Sequence, residues 1–301
     1  MHHRLMLCAL LCLLLAPLSG FAQISPSTPL QIEAEAGFNG AFRPNEWLSI
    51  RVTLTNTGAE ARGVVTVRPE SNGRALSNAY ETPFNLPSGA TQAFSLMVRL
   101  RDFARIITLE ALNEDGIRLA TLEVPVQAVD PSDKLYLHVA SSDVTTLTLG
   151  EVHPNGANAI STRLLPQDLP DTAPSLLAVD VLLISAFADE AFTTAQRGAL
   201  RDYVLAGGHL VLLGGTTWQG MAQTFADLSP FTPSGTRTLS ELSALGAFAF
   251  TEGTLAGNTP IFIGSPQENA DIMVQTEDGL PLVVRQTYGA GVVDALAFNP
   301  T

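Results

Sequence analysis

Val179–Gly215, VDVLLISAFADEAFTTAQRGALRDYVLAGGHLVLLGG, is the stretch on which the fold reading turns. Val181–Ile184 and Leu210–Leu213 are short continuous apolar runs, the pattern of parallel strands covered on both faces. Between them Thr193 stands where a helix N-cap is expected, with Gln196 three residues on, the spacing of a capping box. Ala195, Ala199, Leu200, Tyr203 and Val204 then share one helix face, and Gly207-Gly208 supply a C-terminal stop. Strand, capped helix, glycine turn and strand make a βαβ unit, which predicts an α/β domain around it.

Outward from this block, Asp130-Pro131-Ser132-Asp133 marks a boundary. On its far side Lys134–Ala140 and Ile160–Leu165 read as further strands of the same domain. Met221–Leu228 and Leu239–Leu245 read as short helices, and Ile272–Gln275 and Leu282–Gln286 as strands. Gly289-Ala290-Gly291 turns the chain into a last strand, Val292–Phe298. Before the boundary, Leu30–Val129 reads as all-β. Trp47–Thr55 alternates with period two, as do Phe94, Leu96, Val98 and Leu100. Ile106–Leu112, the turn Asn113-Glu114-Asp115-Gly116 and Ile117–Val126 form a hairpin pattern. About seven short strands with regular turns predict a β-sandwich. In this alternation Trp47 is expected in the core.

The 301 residues, 46% of them hydrophobic, suffice for about two domains with real cores. Residues 1–23 read as a secretory signal peptide: Arg4 and two histidines, an apolar run from Leu5 to Leu15, then Pro17, Ser19, Gly20 and Ala22 around a cleavage site. Residues 24–29 are a Ser/Pro-rich linker, 30–129 the sandwich and 133–301 the α/β domain. Both cysteines, Cys8 and Cys12, lie in the leader without a lipobox, so the mature chain has no cysteine nucleophile and no thiolate metal site. The net charge of −13 becomes more negative once Arg4 is lost, which argues against nucleic acid and anionic lipid as partners. No second apolar segment of about 20 residues follows, so no transmembrane segment is expected in the mature chain.

Two resemblances attach to these residues. Gly37–Trp47 followed by Val52–Gly58 resembles the immunoglobulin-like domain that opens certain exported bacterial envelope proteins. Leu169-Pro170-Asp171, Val179–Ile184, the helix start at Thr194–Arg197, Ala206–Val211, Gly214-Gly215 and the hairpin at Gly289–Val293 resemble the class I glutamine amidotransferase-like fold, a flavodoxin-like three-layer sandwich. The expected fold is therefore multidomain: an all-β immunoglobulin-like sandwich followed by an α/β flavodoxin-like domain. Proteins similar to it often continue into further domains and a C-terminal membrane anchor. The expectation is a truncated frame, or a variant retained by a partner in the cell envelope.

In catalytic members of that group a cysteine sits on the turn after the strand and is activated by a histidine. Here Thr216-Thr217-Trp218 follow Gly215, and the histidines after the leader are His138, His153 and His209. His138 and His209 fall within strands, where a satisfied structural histidine is the expectation, and none follows the terminal hairpin. The resemblance implies a degenerate domain with no catalytic residues, metal or cofactor. Gly207-Gly208 and Gly214-Gly215 match no dinucleotide fingerprint, and no Walker-type lysine is present. Asp189-Glu190 and Glu277-Asp278 read as solvated surface. Thr216, Thr217 and Trp218, at the carboxyl end of a parallel strand, are the candidate ligand-binding residues. The function expected is a non-catalytic exported interaction or scaffold protein of the bacterial envelope, with a protein partner. The alternatives are a sugar- or peptide-binding protein using the cleft at the end of strand 209–215, and a hydrolase with a non-cysteine nucleophile.

Overall fold

A computed structural model of the chain describes residues 29–71, 74–75, 78–101, 103–141, 147, 149–185, 191–215, 218–248 and 256–300. The leader, both cysteines and the carboxylates Asp189 and Glu190 lie outside the described residues.

The first half holds β1 (Leu30–Ala36), β2 (Ala41–Phe42), β3 (Trp47–Asn56), β4 (Ala61–Val67), β5 (Glu70–Ser71), β6 (Arg74–Ala75), β7 (Tyr80–Leu86), β8 (Thr91–Arg99), β9 (Ile106–Asn113), β10 (Arg118–Pro125) and β11 (Gln127–Ala128). Seven of them make two antiparallel sheets, in the orders β1-β3-β8 and β10-β9-β4-β7. Strand β3 sets the register of the first: Val52 lies opposite Ala34 on one side and Phe94 on the other. Leu48, Ile50, Val52 and Leu54 point inward against Val65, Val67, Phe84, Leu109 and Ala111 of the second sheet. Because side chains alternate, Trp47 shares the outward face of Ser49 and Arg51. It is 37% exposed and meets Tyr80 edge-on, with ring centroids 6.1 Å apart, rather than entering the core.

The second half contains β12 (Lys134–Val139), β13 (Ala159–Leu164), α1 (Ala173–Leu176), β14 (Val181–Ile184), α2 (Thr194–Leu205), β15 (His209–Leu213), α3 (Trp218–Thr224), β16 (Phe231–Glu241), α4 (Ser243–Phe248), β17 (Ala256–Pro266), β18 (Asp271–Gln275), β19 (Pro281–Tyr288) and β20 (Gly291–Leu296). Seven strands form one mixed sheet, β13-β12-β14-β15-β20-β19-β18. The pairs from β13 to β20 are parallel; β20, β19 and β18 are antiparallel. Leu239–Leu245 is not a helix. Leu239 lies in β16, which pairs with β17 as a long two-stranded ribbon, and α4 starts only at Ser243.

Helix α2 is capped as its sequence requires. Thr193 Oγ1 accepts the Gln196 N–H at 3.2 Å, and Gln196 Oε1 accepts the Thr193 N–H at 2.9 Å. At the other end the two glycines do different work. Gly207 has φ of +117°, a conformation that side chains disfavour. Gly208 lies flat against the Tyr203 ring, where an added Cβ would come within 2.4 Å of ring carbons.

The flavodoxin-like three-layer domain expected for residues 133–301 is not what forms. The chain is mostly β and built of several sheets. A three-layer arrangement needs helices on both sheet faces. One face, carrying Leu135, Leu137, Leu182, Ile184, Leu210, Leu212, Val293 and Ala295, packs in a single core with residues of α1, α2 and α3 and of the β16–β17 ribbon. The other face carries a small cluster, Leu183, Val211 and Leu213, against which Leu147 and Leu149 pack. Among the described residues those two leucines come from a connection whose regular structure is 3₁₀ turns at 149–151 and 154–156. The βαβ unit β14-α2-β15 is present, but α2 is the one described helix longer than seven residues.

Phe38, from the loop joining β1 to β2, and Ala41, the first residue of β2, belong to the core of the second half rather than to that of the sandwich. The two halves are thereby joined through buried apolar surface.

Candidate functional site

Around this plug a polar junction is assembled. Asn39, in the left-handed region at φ 52°, donates from Nδ2 to the Arg163 carbonyl at 2.5 Å and to Thr162 Oγ1 at 3.2 Å. Thr162 Oγ1 in turn donates to the Phe38 carbonyl at 3.1 Å. Arg43, just after β2, sends its guanidinium into the second half. Nε donates to the Ala178 carbonyl at 2.8 Å and Nη2 to the Asp133 carbonyl at 2.9 Å, and Nη2 also meets the Asp180 carboxylate. Asp180 is held further by Lys134 Nζ at 3.1 Å and by the Leu135 N–H at 2.8 Å. A planar donor fork suits this mixed set of carbonyls and carboxylate better than an ammonium would.

Beside the junction lies a cleft of about 220 Å³ between the outer face of the β1-β3-β8 sheet and the segment 164–171. Glu35, Ser49, Arg51 and Ser95 line it from the sandwich; Gln167, Asp168, Asp171 and Thr193 line it from the second half. Arg51 bridges the two walls, bonding Glu35 Oε2 at 2.6 Å through Nη2 and the Asp168 carboxylate through Nη1. Buried Gln196 fixes the far wall, donating from Nε2 to the carbonyls of Pro166 at 2.9 Å and Leu169 at 2.8 Å. Clefts between units are common ligand sites, and hydroxyls, carboxylates and one guanidinium equip this one for a small polar ligand.

The residues singled out from sequence are placed differently. Trp218 opens α3 and packs, partly buried, against the core of the second half; Thr216 and Thr217 lie outside the described residues. His138, in β12, is fully buried with Nε2 2.7 Å from Ser185 Oγ. Burial, reinforced by the Arg163 guanidinium, pushes its pKa down to about 4, so the ring is neutral at pH 7. His209 Nε2 lies 2.9 Å from Asp294 Oδ2, and Arg285 grips the same carboxylate from Nε at 2.6 Å and Nη2 at 2.7 Å. Burial raises the Asp294 pKa, but the bonds from Arg285 and His209 outweigh it and hold the carboxyl below its ordinary value. His153 is exposed, with Nδ1 3.3 Å from the Ala157 carbonyl. Exposed Asp278 pairs with Arg237 at 2.7 Å. Among the described residues no group of three or more His, Cys, Asp or Glu comes together as a metal ion requires, and no helix is long and apolar enough to cross a membrane.

Sequence reasoning missed the junction and the cleft. The bonds that join the two halves there link distant residues, Asn39–Arg163, Arg43–Asp180 and Arg51–Asp168 among them, and such pairs leave no local pattern.

Residues 29–127 match a family described as "Domain of unknown function (DUF8726)". No curated protein matches the chain. Among solved structures, the chain is similar to the alkylpurine DNA glycosylase AlkC of Pseudomonas fluorescens, bound to DNA containing an abasic site analog. That likeness has 20% identity over 34% of this chain and 31% of the glycosylase, with a TM-score of 0.25. The chain thus spans about a third of the glycosylase's length. It is also similar to the CARDB domain of the PF1109 protein of Pyrococcus furiosus, in complex with di-metal ions. Here identity is 15% over 33% of this chain and 87% of that domain, with a TM-score of 0.24. At such scores neither likeness carries an argument about this chain.

Proposed function

We propose that the chain is a non-catalytic, exported interaction or scaffold protein of the bacterial cell envelope. The observation that supports it best is the junction at Arg43. The sandwich and the second half share a buried plug and a guanidinium held by three carbonyls and a carboxylate, so they present their outer faces in one fixed relation. Fixed relative placement is what a scaffold needs, because the cost of ordering its surfaces is met before a partner arrives. Export rests on the leader at residues 1–23. The test is to produce the full chain in a bacterium, fractionate the cells and determine the mature N-terminus by mass spectrometry. The reading expects a chain beginning near Gln23 outside the cytoplasm and no turnover in hydrolase and glutaminase screens. A cytoplasmic chain retaining Met1, or turnover abolished by Ser185→Ala, overturns it.

The cleft favours a second reading, a binding protein for a small polar ligand. A ligand seated there would raise the melting temperature of the parent protein and not that of Arg51→Ala. A ligand whose effect instead vanishes with Trp218→Ala would move the site to the end of β15.

A further inference from the structure

We propose that the buried His138–Ser185 pair is an acid-sensitive latch: it holds the carboxyl ends of β12 and β14 together while the imidazole is neutral and releases them when the imidazole is protonated. His138 lies on β12 opposite Leu183 of β14, and Ser185 follows β14 directly, its N–H donating to the Val139 carbonyl at 3.1 Å. Both side chains are fully buried, and their 2.7 Å bond is a polar tie between the two strand ends.

Among the described residues the imidazole has one hydrogen-bond partner for two nitrogens. Nδ1 is buried and, among the described residues, makes no hydrogen bond. A neutral ring tolerates this in the tautomer that carries its proton on Nε2, donates to Ser185 and leaves only a lone pair unmet. Protonation adds a buried N–H without an acceptor and a positive charge beside another. Among the described residues, the groups facing the ring are the Arg163 guanidinium from β13, the Ser185 hydroxyl and Leu183 from β14, and Tyr136 two residues back on β12. None of these offers a negative charge, since burial raises the Tyr136 pKa further above its ordinary value. The proton is therefore taken up favourably only when this end of the sheet opens, and acid selects the open form. At its other end β14 is preceded by Asp180, in the junction with Arg43. Leu183, at the end that opens, belongs to the cluster with Val211 and Leu213, while the Arg43–Asp180 bond lies at the opposite end of β14.

Hydrogen exchange of the full chain at pH 7.5, 5.5 and 4.5, corrected for the intrinsic pH dependence, tests this. In the parent protein, protection of peptides covering 135–141 and 181–185 should fall by up to about 100-fold toward pH 4.5, while β3 and β8 stay protected. In His138→Gln the same peptides should show no selective change with pH. A fall that persists in that variant, or one uniform across the chain, overturns the proposal. Should His138→Gln fail to fold, the titration of His138 in the native parent protein decides by NMR. Titration near pH 6.5 without loss of protection contradicts the latch, and a ring that stays neutral until the strand ends open supports it.

Discussion

The guanidinium of Arg43, on the turn leaving β2, is bonded to the carboxylate of Asp180, at the entrance to β14. The two side chains are 15% and 24% exposed and lie 137 residues apart. Removing either partner leaves a poorly solvated charge. Arg43→Ala is expected to cost roughly 2–4 kcal/mol of stability. Urea denaturation of the two single variants and the double variant should give a coupling energy above about 1 kcal/mol. Additive losses would mean that the pair contributes nothing of its own.

Tyr203 and Gly208 form a second interlock. The buried phenol accepts the His209 N–H at 3.1 Å and lies 3.2 and 3.3 Å from the carbonyls of His209 and Val179, to which it donates. Burial raises its pKa well above the ordinary value, so it stays protonated. Tyr203→Phe should cost about 1–2 kcal/mol by stranding these groups. Gly208→Ala should cost roughly 1–3 kcal/mol, because its methyl collides with the ring. Chemical denaturation measures both.

Gln196 ties the capping box to the segment 166–169. Thr193→Ala removes the cap alone and should cost about 1 kcal/mol. Gln196→Ala removes the cap's return bond and strands two buried carbonyls, so its cost should be clearly larger. Equal losses for the two variants would show that the links to Pro166 and Leu169 are energetically silent.

Asp294 makes a pH prediction with the sign set by its neighbours. Its folded-state pKa is below the ordinary value, so its contribution is complete above about pH 4 and is lost as pH falls through the folded value. Asp294→Asn should therefore be less stable than the parent at pH 7, by roughly 1–2 kcal/mol given that Arg285 is half-exposed. The gap should narrow below pH 4. Denaturant midpoints at pH 7 and pH 3 check this, and a gap that widens in acid would contradict it.

Local signals were legible and long-range ones were not. Thr193 and Gln196 announce their cap because both halves of the motif lie within one turn. Leu48, Ile50, Val52 and Leu54 announce their face because their period matches the strand. Trp47 was misplaced by one step of that period: it is in phase with Ser49 and Arg51, and a single step moves a side chain to the opposite face. Leu239, Leu242 and Leu245 carry helix-like spacing, yet register shifts at Pro233–Gly235 and Leu239–Glu241 let the ribbon β16–β17 absorb the first of them. The three-layer expectation failed because a strand's apolar run shows that it is buried and not what covers each face. Leu183, Val211 and Leu213 cluster together, and among the described residues Leu147, Leu149, Val181 and Leu296 pack against them. The site was least legible, since Arg51, Glu35 and Asp168 meet only once both halves are folded.

The central claim, that the junction makes one body of the two halves, is tested by following each half's own tryptophan during urea unfolding. Trp47 reports on the sandwich and Trp218 on the second half. With Trp47→Phe and Trp218→Phe as single-tryptophan proteins, the unfolding midpoints should coincide and should separate once Arg43→Ala is added to each. Midpoints that already differ while Arg43 is present would contradict the account.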